Sequence, residues 1–188
     1  IIISNTFWTP ILLKRSKNPG KIVVDFERMP KGQVTLYKHV ACIRVNSNAV
    51  ESAVIQECPE VAAIVRLIPN PLPFTPPPKL PTKKEHLLLY AGRIHPEKGL
   101  HLLADAWREM NRSFPDWTME IAGPHEVAHG GGGERYLKDL KGRFGNAPVT
   151  WHGPVYNSRH LEQLYERASV FAYPSVAEKG ETFGMAPL

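Results

Sequence analysis

In the second half of the chain, runs of consecutive apolar residues alternate with stretches where apolar residues recur every three or four positions. HLLLYAG (86–92) has the pattern of a buried strand, and WTMEIAG (117–123), VTWHG (149–153) and SVFAYPS (169–175) predict three more, each leaving at a Gly or Pro. Between the first two, Leu100, Leu103, Trp107, Met110 and Phe114 lie at helical spacing within 97–114, and Pro115 ends that helix. Leu137, Leu140 and Phe144 mark one side of a helix over 134–144. Ser158 is placed to cap a third helix, with Leu161, Leu164, Tyr165 and Ala168 inward. After 175 a loop with Glu178, Gly180 and Glu181 leads into FGMAPL, which has the pattern of a helix's first turn. Strands alternating with helices predict βαβ units in a parallel sheet, with ligands bound beyond the carboxyl ends of the strands.

The first part follows the same rule less completely. IIIS, KIVVDF and ACIRVNS predict strands, and 33–39 a short helix with Val34 and Tyr37 inward. Asn48 and Glu51 resemble a capping box for a helix ending near Glu57. VAAIVRLIP then leads into IPNPLPFTPPPKLPT (68–82), which holds seven of the 18 prolines. Proline fixes φ and removes a donor, so neither a helix nor a central strand runs there. The expected organisation is a partial domain over 1–67, a stiff linker over 68–82 and a second partial domain over 83–188.

Composition narrows this picture only slightly. At 188 residues with 43% hydrophobic content the chain is long enough for one good core or two small ones. Cys42 and Cys58 give no disulfide framework and no metal spacing, which makes a reducing compartment the default. No apolar run reaches the ~20 residues needed to cross a bilayer, and IIISNTFW lacks the basic head and long apolar middle of a signal peptide. The net charge of +5 and pI near 9.3 favour anionic partners. The basic residues are scattered apart from Lys83-Lys84 and Lys138/Lys141/Arg143, a solvated surface or an anion-facing patch, and they lack the interleaved aromatics of a nucleic-acid surface.

The turn AGRIHPEKG (91–99) is the candidate site. A turn that only reverses the chain needs no cations, yet this one carries Arg93 and Lys98 beside Gly92 and Gly99. Arg93 is expected at the carboxyl end of its strand and Lys98 in the first turn of the following helix. There a fork of donors, a point charge and the helix terminus would together suit a diphosphate. The pattern is neither GxxxxGK[ST] nor GxGxxG. GGGG (130–133) has the composition of a mobile surface loop. In EKGETFGMAPL (178–188), the amides of Gly184, Met185 and Ala186 could bond phosphate oxygens, and Glu181 could accept from sugar hydroxyls. The eight histidines form no HExxH pattern; His125 and His129 are four apart but run into glycines. No GxSxG elbow and no Asp-x-Asp metal motif occurs, and Trp107, Trp117 and Trp151 suit packing.

Taken in order, GRIHPEKG, IAGP, WHGPV and YPSVAEKGETFGMAPL resemble the family 4 (group 1) retaining glycosyltransferases of the two-Rossmann-domain (GT-B) type. The resemblance is strong from residue 86 onward and moderate before it. It implies an α/β fold of Rossmann-like parallel sheets in a GT-B arrangement with both domains incomplete: an acceptor-side domain, the linker and a donor-binding domain. It assigns Arg93 and Lys98 to the donor diphosphate and matches Glu181 to the first member of a paired-glutamate motif that contacts the donor sugar. The second member would follow Leu188, and the family's first strand and Gly-rich acceptor loop would precede Ile1. The chain therefore has the look of an internal fragment, inactive alone.

The implied donor-binding set is Gly92, Arg93, Lys98, Gly123, Pro124, Val155, Glu181, Phe183, Gly184, Met185 and Ala186, with Arg93, Lys98 and Glu181 the catalytic members. The implied reaction moves a sugar from a UDP- or GDP-sugar to an acceptor hydroxyl with retention. It uses no cofactor and no metal, and its acceptor is a carbohydrate or a lipid-linked one. The location is cytoplasmic, with peripheral association at a membrane's inner face allowed. Two other readings stay open: a sugar-nucleotide epimerase of the same architecture, and a nucleotide-binding fragment without activity. One departure stands out. Where many relatives place a His after the acceptor-domain strand, this chain has Asp25-Phe26-Glu27-Arg28; Arg28 and Lys31 suit an anionic acceptor or plain surface equally.

Overall fold

A computed structural model describes residues 1–16, 20–71 and 83–176. They fall into two compact units, each built on a four-stranded sheet in which every pairing is parallel. Parallel strands alternating with helices make both units α/β and Rossmann-like.

The first unit contains β1 (Ile2–Ser4), α1 (Trp8–Leu13), β2 (Ile22–Phe26), β3 (Cys42–Val45), α2 (Asn48–Glu57) and β4 (Val65–Leu67), with the strands side by side in chain order. Alternation decides what is buried: Ile22, Val24 and Phe26 of β2 and Ile43 and Val45 of β3 face the core. The expected short helix is a 3-10 turn over Val34–Tyr37, and both predicted inward residues are buried. The cap of α2 is one residue earlier than the Asn48–Glu51 pairing implies. Ser47 has the extended backbone of a cap, and its hydroxyl accepts from the Val50 amide at 3.4 Å. A second 3-10 turn, Pro59–Ile64, separates α2 from β4. Neither α1 nor β4 stands out in the sequence, since a six-residue helix and a three-residue strand are too short to show a period.

In the second unit the elements are β5 (Glu85–Ala91), α3 (Leu100–Ser113), β6 (Thr118–Ala122), α4 (Gly133–Phe144), β7 (Val149–Gly153), α5 (Ser158–Arg167) and β8 (Ala168–Phe171). The order across the sheet is β7-β6-β5-β8, so the winding reverses between β5 and β8. This reversal explains the unbroken apolar run in β5. Leu88 and Tyr90 pack with Leu100, Trp107, Leu140 and Phe144 of α3 and α4, whereas Leu87 and Leu89 pack with Leu164. A strand covered on both faces has no polar side to show.

Four expectations are corrected here. Met110 of α3 and Phe114, which caps its end, are exposed; the inward step from Leu100 through Ala104 and Trp107 continues to Asn111, whose amide donates to the Trp117 carbonyl at 3.3 Å. The cap of α5 is Asn157, accepting from the His160 amide at 3.1 Å, and Ser158 is the first helical residue. Ala168 opens β8 rather than closing α5, and that strand ends at Phe171, short of the expected Ser175.

Among the described residues of the second unit, one polar side chain is buried. Glu120, 7% exposed in the middle of β6, meets His152 of β7 at 2.7 Å and Arg167 of α5 at 2.9 Å. Arg167 also reaches both carboxylate oxygens of Glu85, at 3.0 and 2.9 Å. Those bonds hold Glu85 below the usual carboxylate range. The network ties α5 to β5 and β6 with each buried charge answered, the condition under which such a group is tolerated.

Candidate functional site

The site is built at the carboxyl edge of the second sheet, where β5 runs out between β6 and β8. The backbone of Arg93 is fixed first: the Tyr90 hydroxyl donates to its carbonyl at 2.8 Å, and the Ile94 amide donates to the Pro124 carbonyl at 2.8 Å. Burial raises the Tyr90 phenol, which keeps it a neutral donor. The Gly92 and Gly123 amides bond the Ala122 and Gly153 carbonyls at 2.9 and 2.8 Å. Gly123 passes so close to Gly92 that a Cβ would overlap the Gly92 carbonyl oxygen. Thus the ends of β5, β6 and β7 are laced together by backbone.

Beyond Arg93 the chain does not go straight into a helix. Pro96–Lys98 forms a 3-10 turn, opened by His95, whose Nδ1 accepts from the Glu97 amide at 3.3 Å. Gly99 then takes φ +69° and caps α3. Lys98 therefore precedes α3 instead of sitting in its first turn, because Gly99 turns the chain between the two. The Glu97 carbonyl accepts from the Val176 amide at 2.9 Å and the Ser175 hydroxyl at 3.3 Å, and a Cβ on Gly99 would overlap the Pro174 carbonyl oxygen. The 3-10 turn is thereby clasped by the segment after β8.

The two cations leave this frame on opposite sides. Arg93 reaches the loop after β6, its Nη1 donating to the Gly130 carbonyl at 2.5 Å. Lys98 leans toward the segment after β8, its Nζ 5.9 Å from the centre of the Tyr173 ring. They still sense each other. Partial burial lowers the Lys98 amine, the Arg93 charge lowers it further, and Glu97 offsets part of this. Among the described residues no carboxylate lies within ion-pairing reach of Arg93.

Gly92, Arg93, Lys98, Gly123 and Pro124 thus come together at one sheet edge, and Val155 follows β7 at the same edge with its side chain packed on the core containing Leu89 and Leu164. Glu181, Phe183, Gly184, Met185 and Ala186 lie outside the described residues. Sequence reasoning missed GGGG. Far from hanging loose, the Gly131, Gly132 and Gly133 amides bond the Glu126, Ile94 and His125 carbonyls at 2.9, 2.8 and 2.7 Å. Gly130 has φ +76°, and a Cβ there would sit 2.8 Å from Arg93 Nη1. The signal was the run of glycines itself, which marks close backbone approach as well as looseness. By contrast, two cations of the Lys138/Lys141/Arg143 cluster are used on the surface. Arg143 pairs with Asp105 at 3.2 Å, and Lys141 lies over the Trp151 ring at 5.4 Å.

Comparison with known proteins bears out the fold. The model of the family described as glycosyl transferases group 1 matches residues 74–188. An uncharacterized glycosyltransferase of Haemophilus influenzae is 27% identical over 111 residues, 59% of this chain and 29% of that protein. Among solved structures, Anabaena Alr3699/HepE in complex with UDP superposes with a TM-score of 0.74 at 18% identity, over 98% of this chain and 55% of that one. A glycosyltransferase from Rickettsia africae gives 0.67 at 14% identity, over 93% and 52%. The chain thus spans about half the length of these two solved structures and under a third of the curated relative. With a family model covering more than half its residues, the chain belongs to the group 1 glycosyltransferases.

Proposed function

We propose that the second unit holds the diphosphate of a nucleotide sugar, such as a UDP- or GDP-sugar, in an enzyme that transfers the sugar to an acceptor hydroxyl with retention of configuration. The observation that carries this is the pair Arg93 and Lys98, flanking the carboxyl end of β5 at the point where the sheet's winding reverses. As the bond from sugar to phosphate breaks, negative charge builds on the diphosphate. Arg93 and Lys98, with the amides of Gly184, Met185 and Ala186, would stabilise it, and Glu181 would accept from the sugar hydroxyls. Gly92, Gly123, Pro124, Val155 and Phe183 complete the proposed surround of the donor.

Two fixed cations supply the charge that a divalent ion supplies elsewhere, so the proposed reaction is metal-independent and needs no cofactor beyond the nucleotide sugar. The first unit is the proposed acceptor side, for a carbohydrate or lipid-linked acceptor, with the run Asp25-Phe26-Glu27-Arg28 where the family resemblance implies a histidine after the strand. Asp25 is already engaged by Arg44 at 2.8 Å, while Arg28 and Lys31 are exposed. The proposed location is cytoplasmic, at a membrane face when the acceptor is lipid-linked; no helix among the described residues is long and apolar enough to cross a membrane.

The test is transfer by the enzyme carrying this chain. A charge-assisted hydrogen bond is worth roughly 1.5–3 kcal/mol, so Arg93→Ala and Lys98→Ala should each slow transfer by about one to two orders of magnitude. Near-normal kinetics in both would remove the assignment. Excess EDTA should leave the rate unchanged; loss of turnover on chelation, restored by a divalent ion, would overturn metal independence.

A further inference from the structure

We propose that Gly130 is a positioning residue for the donor diphosphate: its carbonyl holds the Arg93 guanidinium in the pose that meets the phosphates, an inference that rests on the donor-site reading above. The Arg93 Nη1 donates to that carbonyl at 2.5 Å, across 37 positions of sequence. The acceptor is neutral. A carboxylate in its place would orient the guanidinium and cancel its charge; a carbonyl orients it and leaves the charge for a ligand. One guanidinium N–H is engaged in this way, and the rest of the fork stays open to phosphate oxygens.

The carbonyl is itself held. Five consecutive amides, those of residues 129–133, donate to backbone carbonyls: His129 to Glu126, Gly130 to Val127, Gly131 to Glu126, Gly132 to Ile94 and Gly133 to His125, all at 2.7–3.0 Å. The His125 ring adds a bond to Glu134 of α4 at 2.7 Å. Ile94, whose carbonyl takes the Gly132 amide, follows Arg93 in the chain. The loop therefore grips the backbone beside Arg93 as well as the tip of its side chain. A long side chain tied at both ends has little freedom left to lose when a ligand arrives, and that prior order appears as affinity.

Glycine is required here by contact as well as by backbone. Gly130 has φ +76°, and a Cβ there would sit 2.8 Å from Arg93 Nη1 and 3.2 Å from its Cδ. The guanidinium is the far end of a flexible side chain, whereas the carbonyl is fixed on both flanks. An added methyl group therefore displaces Arg93 and leaves the loop in place. Gly133 supplies the comparison. Its φ is +82° in the same loop, yet among the described residues a Cβ there would meet only Val127 Cγ2, at 3.3 Å. Substitution at the two positions carries a similar backbone cost but touches Arg93 at one of them alone.

Calorimetric titration of the chain with UDP and with inorganic pyrophosphate tests this in wild type, Gly130→Ala, Gly133→Ala, Arg93→Ala and the double variant Arg93→Ala/Gly130→Ala. Gly130→Ala should weaken both ligands about two- to tenfold, and Gly133→Ala should leave both unchanged. Once Arg93 is removed, the Gly130 substitution should have no further effect, because its route to the ligand is gone. Gly130→Asn, which tolerates the left-handed backbone and carries the same Cβ, should repeat the loss with the fold kept. Wild-type affinity in both Gly130 variants, equal losses in Gly130→Ala and Gly133→Ala, or the same loss with and without Arg93 would each overturn the positioning role. A weakened Arg93→Ala would still leave the diphosphate site standing. Binding that is unchanged in Arg93→Ala, or absent in wild type, would overturn the donor site and the positioning role together.

Discussion

Lys98 carries an electrostatic load before any ligand arrives. Its amine is partly desolvated and faces the charge of Arg93, so its pKa lies below the ordinary lysine value. The protonated form is thus disfavoured in the fold relative to the unfolded chain. The resulting destabilisation is fully present below the folded pKa and is relieved as pH rises toward the unfolded value. A bound diphosphate reverses the balance and favours the proton. Affinity for UDP should therefore fall as pH climbs through the depressed pKa, and Lys98→Met should flatten that dependence; the same slope in both proteins would contradict it. At Gly99 the backbone is at stake. The left-handed conformation costs a non-glycine residue about 1–2 kcal/mol, and a Cβ would press on the Pro174 carbonyl oxygen. Gly99→Ala should lower the unfolding free energy by at least that cost, read as a lower urea midpoint at unchanged slope. An unchanged midpoint would mean that the turn is not clasped as described. Arg93, Lys98 and Gly99 were legible in the sequence because charge and glycine in one turn are unusual. Gly130 was not, since the residue it meets, Arg93, is far away along the chain.

At the scale of elements, period carried most of what could be read. The strands β5, β6 and β7 and the helices α3, α4 and α5 all show in the spacing of apolar residues, because each is long enough and packs on one side or both. Caps were harder. Asn157 and Ser158 are both good capping residues, and only backbone geometry separates them. Asn157→Ala should cost about 1 kcal/mol, the usual worth of a cap, while Ser158→Ala should be nearly neutral; the reverse order in thermal melts would restore the sequence expectation. The polar interruptions had no signal of their own. Glu120 in TMEIA gives no hint of His152 and Arg167, because those partners come from β7 and the end of α5. Asn111 was likewise hidden behind Met110, one position away on the helix.

For the whole chain, two parallel sheets could be inferred from alternation alone, but their strand orders could not. The reversal that puts β8 beside β5 is what makes the end of β5 a place for a ligand, and it appears only when the strands are paired. Two cations in one turn already pointed to a diphosphate, the family resemblance implied that it belongs to a nucleotide sugar, and the fold supplies their placement on either side of one strand. In the proposed site Arg93 and Lys98 share one pyrophosphate. A crystal structure of the chain with UDP tests it most directly. Phosphate oxygens should lie about 3 Å from both the guanidinium and the amine, with the Arg93 side chain still near the Gly130 carbonyl. Diphosphate density elsewhere, or bound to neither cation, would contradict it.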